Sequence, residues 1–131
     1  MAKLIKKEDR PFVYHKYNGK CAYCGINIKF EEMHVDHIIP IFRGSTEIEV
    51  SRYNREKGKN KIDNYNPSCI SCNCSKSTFT VEQWRNQIKH KIVCLRRDTS
   101  NFRILERFGI ISVNEIDIKF YFEKESEVHN G

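Results

Sequence analysis

Two cysteine pairs, Cys21-Ala22-Tyr23-Cys24 and Cys69-Ile70-Ser71-Cys72, constrain this chain more than any other feature. A Cys-x-x-Cys turn brings two thiolates to one ion, and two such turns supply the four ligands of a tetrahedral structural zinc site. Gly25, directly after the first pair, suits the tight turn this requires. The 44 residues between the pairs exceed the interval of simple fingers and ribbons, so a substantial element lies between the knuckles. Four cysteines leave no ligand position for water, so this zinc holds structure, and any chemistry requires another metal. Cys74 and Cys94 fall outside the pattern and read as ordinary small residues.

A chain of 131 residues fits one domain. Its parts read as an N-terminal helix (1–20), a zinc-stapled core (21–79), and C-terminal helices with a β-hairpin (80–131). No apolar run is long enough to span a bilayer, so no membrane role is expected. The start, Met1-Ala2-Lys3-Leu4-Ile5-Lys6-Lys7, meets charge at once and lacks the apolar stretch of a secretion signal, so the expected home is the cytoplasm. In that reducing setting the six cysteines are metal ligands and spares, not three disulfides. Lysine and arginine number 23 against 17 acidic residues, a formal charge of +6. With four thiolates at −1 and an ion at +2, that becomes +4 and still suits a polyanion such as nucleic acid.

Asp9-Arg10-Pro11 reads as a helix start and Asn18-Gly19 as its stop. For Lys6, Lys7, Arg10 and Lys16, a solvated face and a DNA contact are both open readings. Met33–Ile41 reads as a strand interrupted by polar His34, Asp36 and His37, and ended at Pro40. Ser45–Asn64 reads as a long surface loop, with Arg52, Arg55, Lys57, Lys59 and Lys61 around Gly58, either gripping phosphates or merely solvated. Thr80-Val81-Glu82-Gln83 begins an amphipathic helix whose stripe is Val81, Trp84, Ile88, Ile92 and Leu95. Phe102, Leu105 and Phe108 before Gly109 predict a second, shorter helix. Ile116, Ile118, Phe120 and Phe122 alternate with polar positions as a strand would, with Ile111 and Val113 as its partner strand, and these aromatics read as core.

Between and after the knuckles stand His34-Val35-Asp36-His37-Ile38-Ile39-Pro40, then Asp63-Asn64-Tyr65-Asn66-Pro67-Ser68-Cys69, then Cys72-Asn73-Cys74-Ser75-Lys76. From Cys21 to Lys76 this order resembles the HNH endonuclease family. Its pattern is a Cys-x-x-Cys, an Asp-His-x-x-Pro, a linker, and an Asn before a second Cys-x-x-Cys-Asn-x-x-Lys. Phe120-Tyr121-Phe122-Glu123-Lys124 is similar, less diagnostically, to small bacterial and phage members.

The resemblance implies an α+β chain built on a ββα-metal fold, and a DNA endonuclease. It implies His37 as general base, Asp36 and Asn73 as ligands of a catalytic Mg²⁺ or Mn²⁺, and Asn64 as the residue that steadies the loop and orients His37. Asparagine at 73 stands where the family name has its last histidine, and its carbonyl oxygen suits a hard ion. One metal and one imidazole together meet the needs of phosphodiester hydrolysis, and histidine titrates near neutrality. His34 shares a strand face with Asp36 and reads either as an auxiliary ligand or phosphate contact, or as a hydrogen-bonding support. Lys76 and Arg43 are candidate phosphate contacts, or simply exposed. The interval from His37 to Asn64 exceeds the compact family pattern because of the basic insertion. The host is a bacterial or phage-infected cell, the partner DNA, and the active form a monomer or homodimer. The competing reading is a catalytically silent, zinc-stabilised DNA-binding module; a zinc deaminase fails for want of a His-x-Glu element.

Overall fold

In the computed structural model, residues 5–130 are described, without the side chains of 129 and 130. The first four residues of the expected N-terminal segment and Gly131 lie outside them. The described residues fall into two compact units, one of 5–81 and 119–130, the other Glu82–Ile118.

The first unit is built on an antiparallel pair, β1 (His34–His37) and β2 (Tyr65–Ser68). Their register sets His34 against Ser68, Val35 against Pro67, Asp36 against Asn66 and His37 against Tyr65. Pro67 has no N–H for a ladder, which a two-stranded sheet with edges on both sides tolerates. The preceding helix α1 (Arg10–His15) has Asp9 at its cap position, without a capping hydrogen bond, and Pro11 in its first turn. It stops where the sequence predicts, with Asn18 and Gly19 both at positive φ. Two of the basic residues on this segment bond to other parts of the fold. Arg10 donates to the carbonyls of Phe30 and Met33, both at 3.1 Å. Lys16 donates to Tyr65 O at 2.9 Å and Asn66 Oδ1 at 3.1 Å, and burial lowers its pKa. Lys16 nonetheless stays exposed and Arg10 partly so, so these bonds fold the segment without removing either cation from the surface.

The Ser45–Asn64 insertion is not all loop. Thr46 caps a helix, α2 (Glu47–Ser51), by accepting from Glu49 N at 3.2 Å, and Val50 buries beneath it. A 3-10 turn, Ile62–Asn64, leads into β2, and α3 (Ile70–Lys76) follows it. The two strands and α3 form the ββα arrangement.

The expected C-terminal hairpin is absent, and this corrects the sequence reading. Residues 112–120 form no ladder, and α6 (Tyr121–Asn130) occupies the end of the expected strand. The N–H groups of Tyr121 and Phe122 bond to Tyr23 O and Ala22 O, at 3.0 and 2.8 Å, and Glu123 Oε1 accepts from Phe120 N at 2.9 Å. Phe120 is buried, and Tyr23 meets Phe120 and Phe122 edge-on. The alternating residues therefore dock on the first knuckle in place of a partner strand. Ile111, the expected partner, instead donates to Leu105 O in a helix-ending turn around Gly109 (φ +70°).

The second unit carries most of α4 (Val81–Asp98) and all of α5 (Ser100–Arg107). The stripe on α4 is only partly covered, since Trp84 is buried but Leu95 is 40% exposed. Arg96 pairs with Glu106 at 2.8 Å, an exposed bridge that ties the two helices and contributes little.

Candidate active site and cysteine cluster

The four paired cysteines converge. Cys21, Cys24, Cys69 and Cys72 have all their sulfurs within 4.8 Å of one another, and Cys24 Sγ lies 3.8 Å from Cys69 Sγ. A tetrahedron with metal–sulfur bonds of ~2.3 Å has edges of ~3.8 Å, so the donor set fits a closed thiolate site. The first knuckle closes by Gly25 N to Cys21 O at 3.0 Å, with Gly25 at φ +79°, where an added Cβ would fall 3.1 Å from the Tyr121 ring. Ala22 N donates to Pro67 O at 2.8 Å, which ties this knuckle to β2, and Cys69 caps α3 by accepting from Cys72 N at 3.4 Å. Hydrogen bonding from Cys72 pulls the Cys21 thiol down to about 4, while the same crowding pushes Cys72 up and burial raises Cys24. Four sulfurs this close cannot all ionise without a cation among them.

Next to the cluster, Asp36, His37, Asn73 and Arg43 line one open cleft of about 430 Å³ with Pro40, Phe42 and Ser77. Asp36 comes from β1 and Asn73 from α3, so the ββα arrangement brings together residues far apart in sequence. Asp36 is buried and receives two donors on Oδ2: the Tyr23 hydroxyl, and Lys76 Nζ at 3.0 Å. Burial raises the Asp36 pKa, while Lys76 and Tyr23 pull it back. Tyr23 is held in its protonated, donating form, chiefly by burial and then by the adjacent carboxylate. Neither contact takes Oδ1. Asn73 lines the same cleft.

Lys76 is not a phosphate contact. Its side chain is 0% exposed, and besides Asp36 its ammonium reaches His37 O at 3.0 Å. A lysine on a seven-residue helix directly after the knuckle turns inward because a buried carboxylate and a strand-end carbonyl await it.

Asn64 is buried and clamps the loop. Its Oδ1 accepts from Ile39 N, and its Nδ2 donates to Ile39 O and Lys59 O, all at 2.9 Å. Ile38 N also bonds to Asn64 O at 2.9 Å. Gly58 passes so close that an added Cβ would fall 1.8 Å from Ile39 O. No bond joins the Asn64 side chain to His37 among the described contacts. The His37 ring is held instead by Asn60, whose Oδ1 lies 2.9 Å from Nε2, and edge-on by Tyr65. His34 is half-buried opposite Ser68 and does not line the cleft.

The basic insertion divides into two groups. Arg52, Lys59 and Lys61 are exposed, as is Arg43 just ahead of it. Arg55 donates to Thr78 O and lies over the Phe42 ring at 4.9 Å, and Lys57 donates to Ile41 O and Phe42 O. The latter two fold the insertion. Sequence reasoning missed Tyr23, Asn60 and Tyr65; only Tyr23 carried a signal, as an aromatic inside a knuckle.

The segment that carries both sites is similar to the HNH endonucleases. The model of the HNH endonuclease family matches residues 21–79. Among curated proteins, the chain is similar to the "SPbeta prophage-derived putative HNH endonuclease YoqL" of Bacillus subtilis (strain 168), 43% identical over 74 residues. That match covers 53% of this chain and 28% of the relative, so the chain spans little more than a quarter of the relative's length. Among solved structures, it resembles the Type II-C Cas9 enzyme from Actinomyces naeslundii, with a TM-score of 0.49 and 23% identity, over 67% of this chain and 9% of that one. Among the described residues, no helix is long and apolar enough to cross a membrane.

Proposed function

We propose that this chain is a metal-dependent DNA endonuclease of the HNH kind, with residues 21–79 as its catalytic core. The observation that carries this reading is the convergence of Asp36, His37 and Asn73 on one open cleft beside the cysteine cluster. In this reading zinc fills the four-cysteine cluster, and Asp36 and Asn73 hold a second ion, Mg²⁺ or Mn²⁺. That ion would supply positive charge to the scissile phosphate and the leaving 3′ oxygen. His37 accepts the proton of the attacking water, as a general base held at the end of β1. Lys76 and Tyr23 fix the Asp36 carboxylate and compensate its burial. Exposed Arg43, Arg52 and Lys59 meet the DNA backbone, so binding weakens steeply with salt. One such centre cuts one strand per visit, so a monomer nicks and a homodimer is needed for paired cuts. Work on DNA, and a relative from a prophage, favour the cytoplasm of a bacterial or phage-infected cell.

Supercoiled plasmid incubated with the zinc-loaded protein in Mg²⁺, Mn²⁺ or no added ion tests this. Metal-dependent relaxed or linear DNA is expected, slowed roughly 10²- to 10⁴-fold by His37→Ala. Intact plasmid with every metal, despite retained binding, would favour the silent DNA-binding module.

A further inference from the structure

We propose that Asn60 is the residue that sets the tautomer of His37, holding Nε2 protonated and leaving Nδ1 as the basic nitrogen. The inference rests on the reading of His37 as the base and deepens it. Asn60 Oδ1 accepts from the Tyr65 hydroxyl at 2.7 Å and lies 2.9 Å from His37 Nε2. An oxygen that already accepts from the phenol presents only lone pairs to the imidazole. Nε2 must therefore donate, because two acceptors at that distance repel. In a neutral ring the proton on Nε2 leaves the lone pair on Nδ1.

The oxygen is itself held in place. Tyr65 is buried in β2, paired in register with His37, and its ring stands edge-on to the imidazole at 5.2 Å and 90°. Asn64 Nδ2 holds the carbonyl of Lys59, the residue before Asn60. Asn64 thus acts on His37 at one remove, by fixing the backbone that carries Asn60. Asn60 is a positioning residue, since it touches the base and not the reacting atoms.

Ring-nitrogen NMR of the full zinc-loaded chain, with His37 neutral, tests the assignment directly. The wild type should carry its proton on Nε2. Asn60→Ala should shift the population toward Nδ1–H, and Asn60→Asp, which keeps an acceptor oxygen, should restore Nε2–H. A wild-type ring protonated on Nδ1, or a pattern unchanged by Asn60→Ala, would overturn the proposal. In plasmid cleavage, Asn60→Ala should lower kcat about 10-fold with KM unchanged, and Asn60→Asp should recover most of it. A change confined to KM would contradict a positioning role. Should His37→Ala still cut DNA, the assignment of the base fails, while the ring spectra still decide what Asn60 does.

Discussion

The cysteine cluster and the cleft share β2 and α3, yet they are held by opposite means. The cluster draws four soft ligands to within 4.8 Å, with Cys21 and Cys69 buried and Cys24 exposed. The cleft stays open and keeps its geometry through neutral and charged hydrogen bonds: Tyr23 and Lys76 on Asp36, Asn60 on His37, and Asn64 on the Ile39 backbone. Consecutive residues serve the two sites, Cys72 for the cluster and Asn73 for the cleft. A helix too short to be stable alone can do this only if something else fixes its N-terminus, and Cys69 supplies that cap. The cluster therefore carries the stability, and the polar network carries the precision.

That division can be broken at several points. Zinc removal, or Cys69→Ser, should abolish cooperative unfolding of the first unit, since structural zinc sites contribute on the order of 10 kcal/mol. A melting curve unchanged by chelation would mean that the polar network suffices without the metal. Lys76→Met should cost about 3–5 kcal/mol in chemical denaturation, because it strands a buried carboxylate. A cost near zero would show that water reaches Asp36. Asn64→Ala leaves both backbone groups of Ile39 without their partners and should cost about 2–3 kcal/mol, with cleavage falling further than stability alone explains. The smallest effect is expected at Arg52→Ala, within about 0.5 kcal/mol on stability, with the salt slope of DNA binding reduced by about 1. A full loss of affinity there would give the insertion a recognition role beyond phosphate contact.

Features that depend on local spacing were legible in the sequence. The knuckle pairs, the stop at Asn18-Gly19 and the start of α4 at Val81 follow from residues within a few positions of one another. The resemblance brought Asp36, His37 and Asn73 together, and the structure lines one cleft with all three. Direction along a side chain was not legible. Lys76, Arg10 and Lys16 looked like surface cations, but each finds acceptors that come from other segments. Asn60 gave no signal, because its partner lies 23 positions away across an insertion. The tail misled for a related reason: alternation from Ile116 to Phe122 describes which residues are apolar and says nothing about whether a neighbouring strand exists. The surface that receives Phe120 belongs to Tyr23, and no local pattern encodes it.

That docking also sets a timetable for folding. Tyr23 O and Ala22 O wait for the N–H groups of Tyr121 and Phe122, about a hundred residues later in synthesis, so one of the largest loop closures in the chain must precede complete cover of the phenol that holds Asp36. During translation the knuckles and sheet can assemble before that cover arrives, so an ordered cysteine cluster is expected to precede a fully covered Asp36.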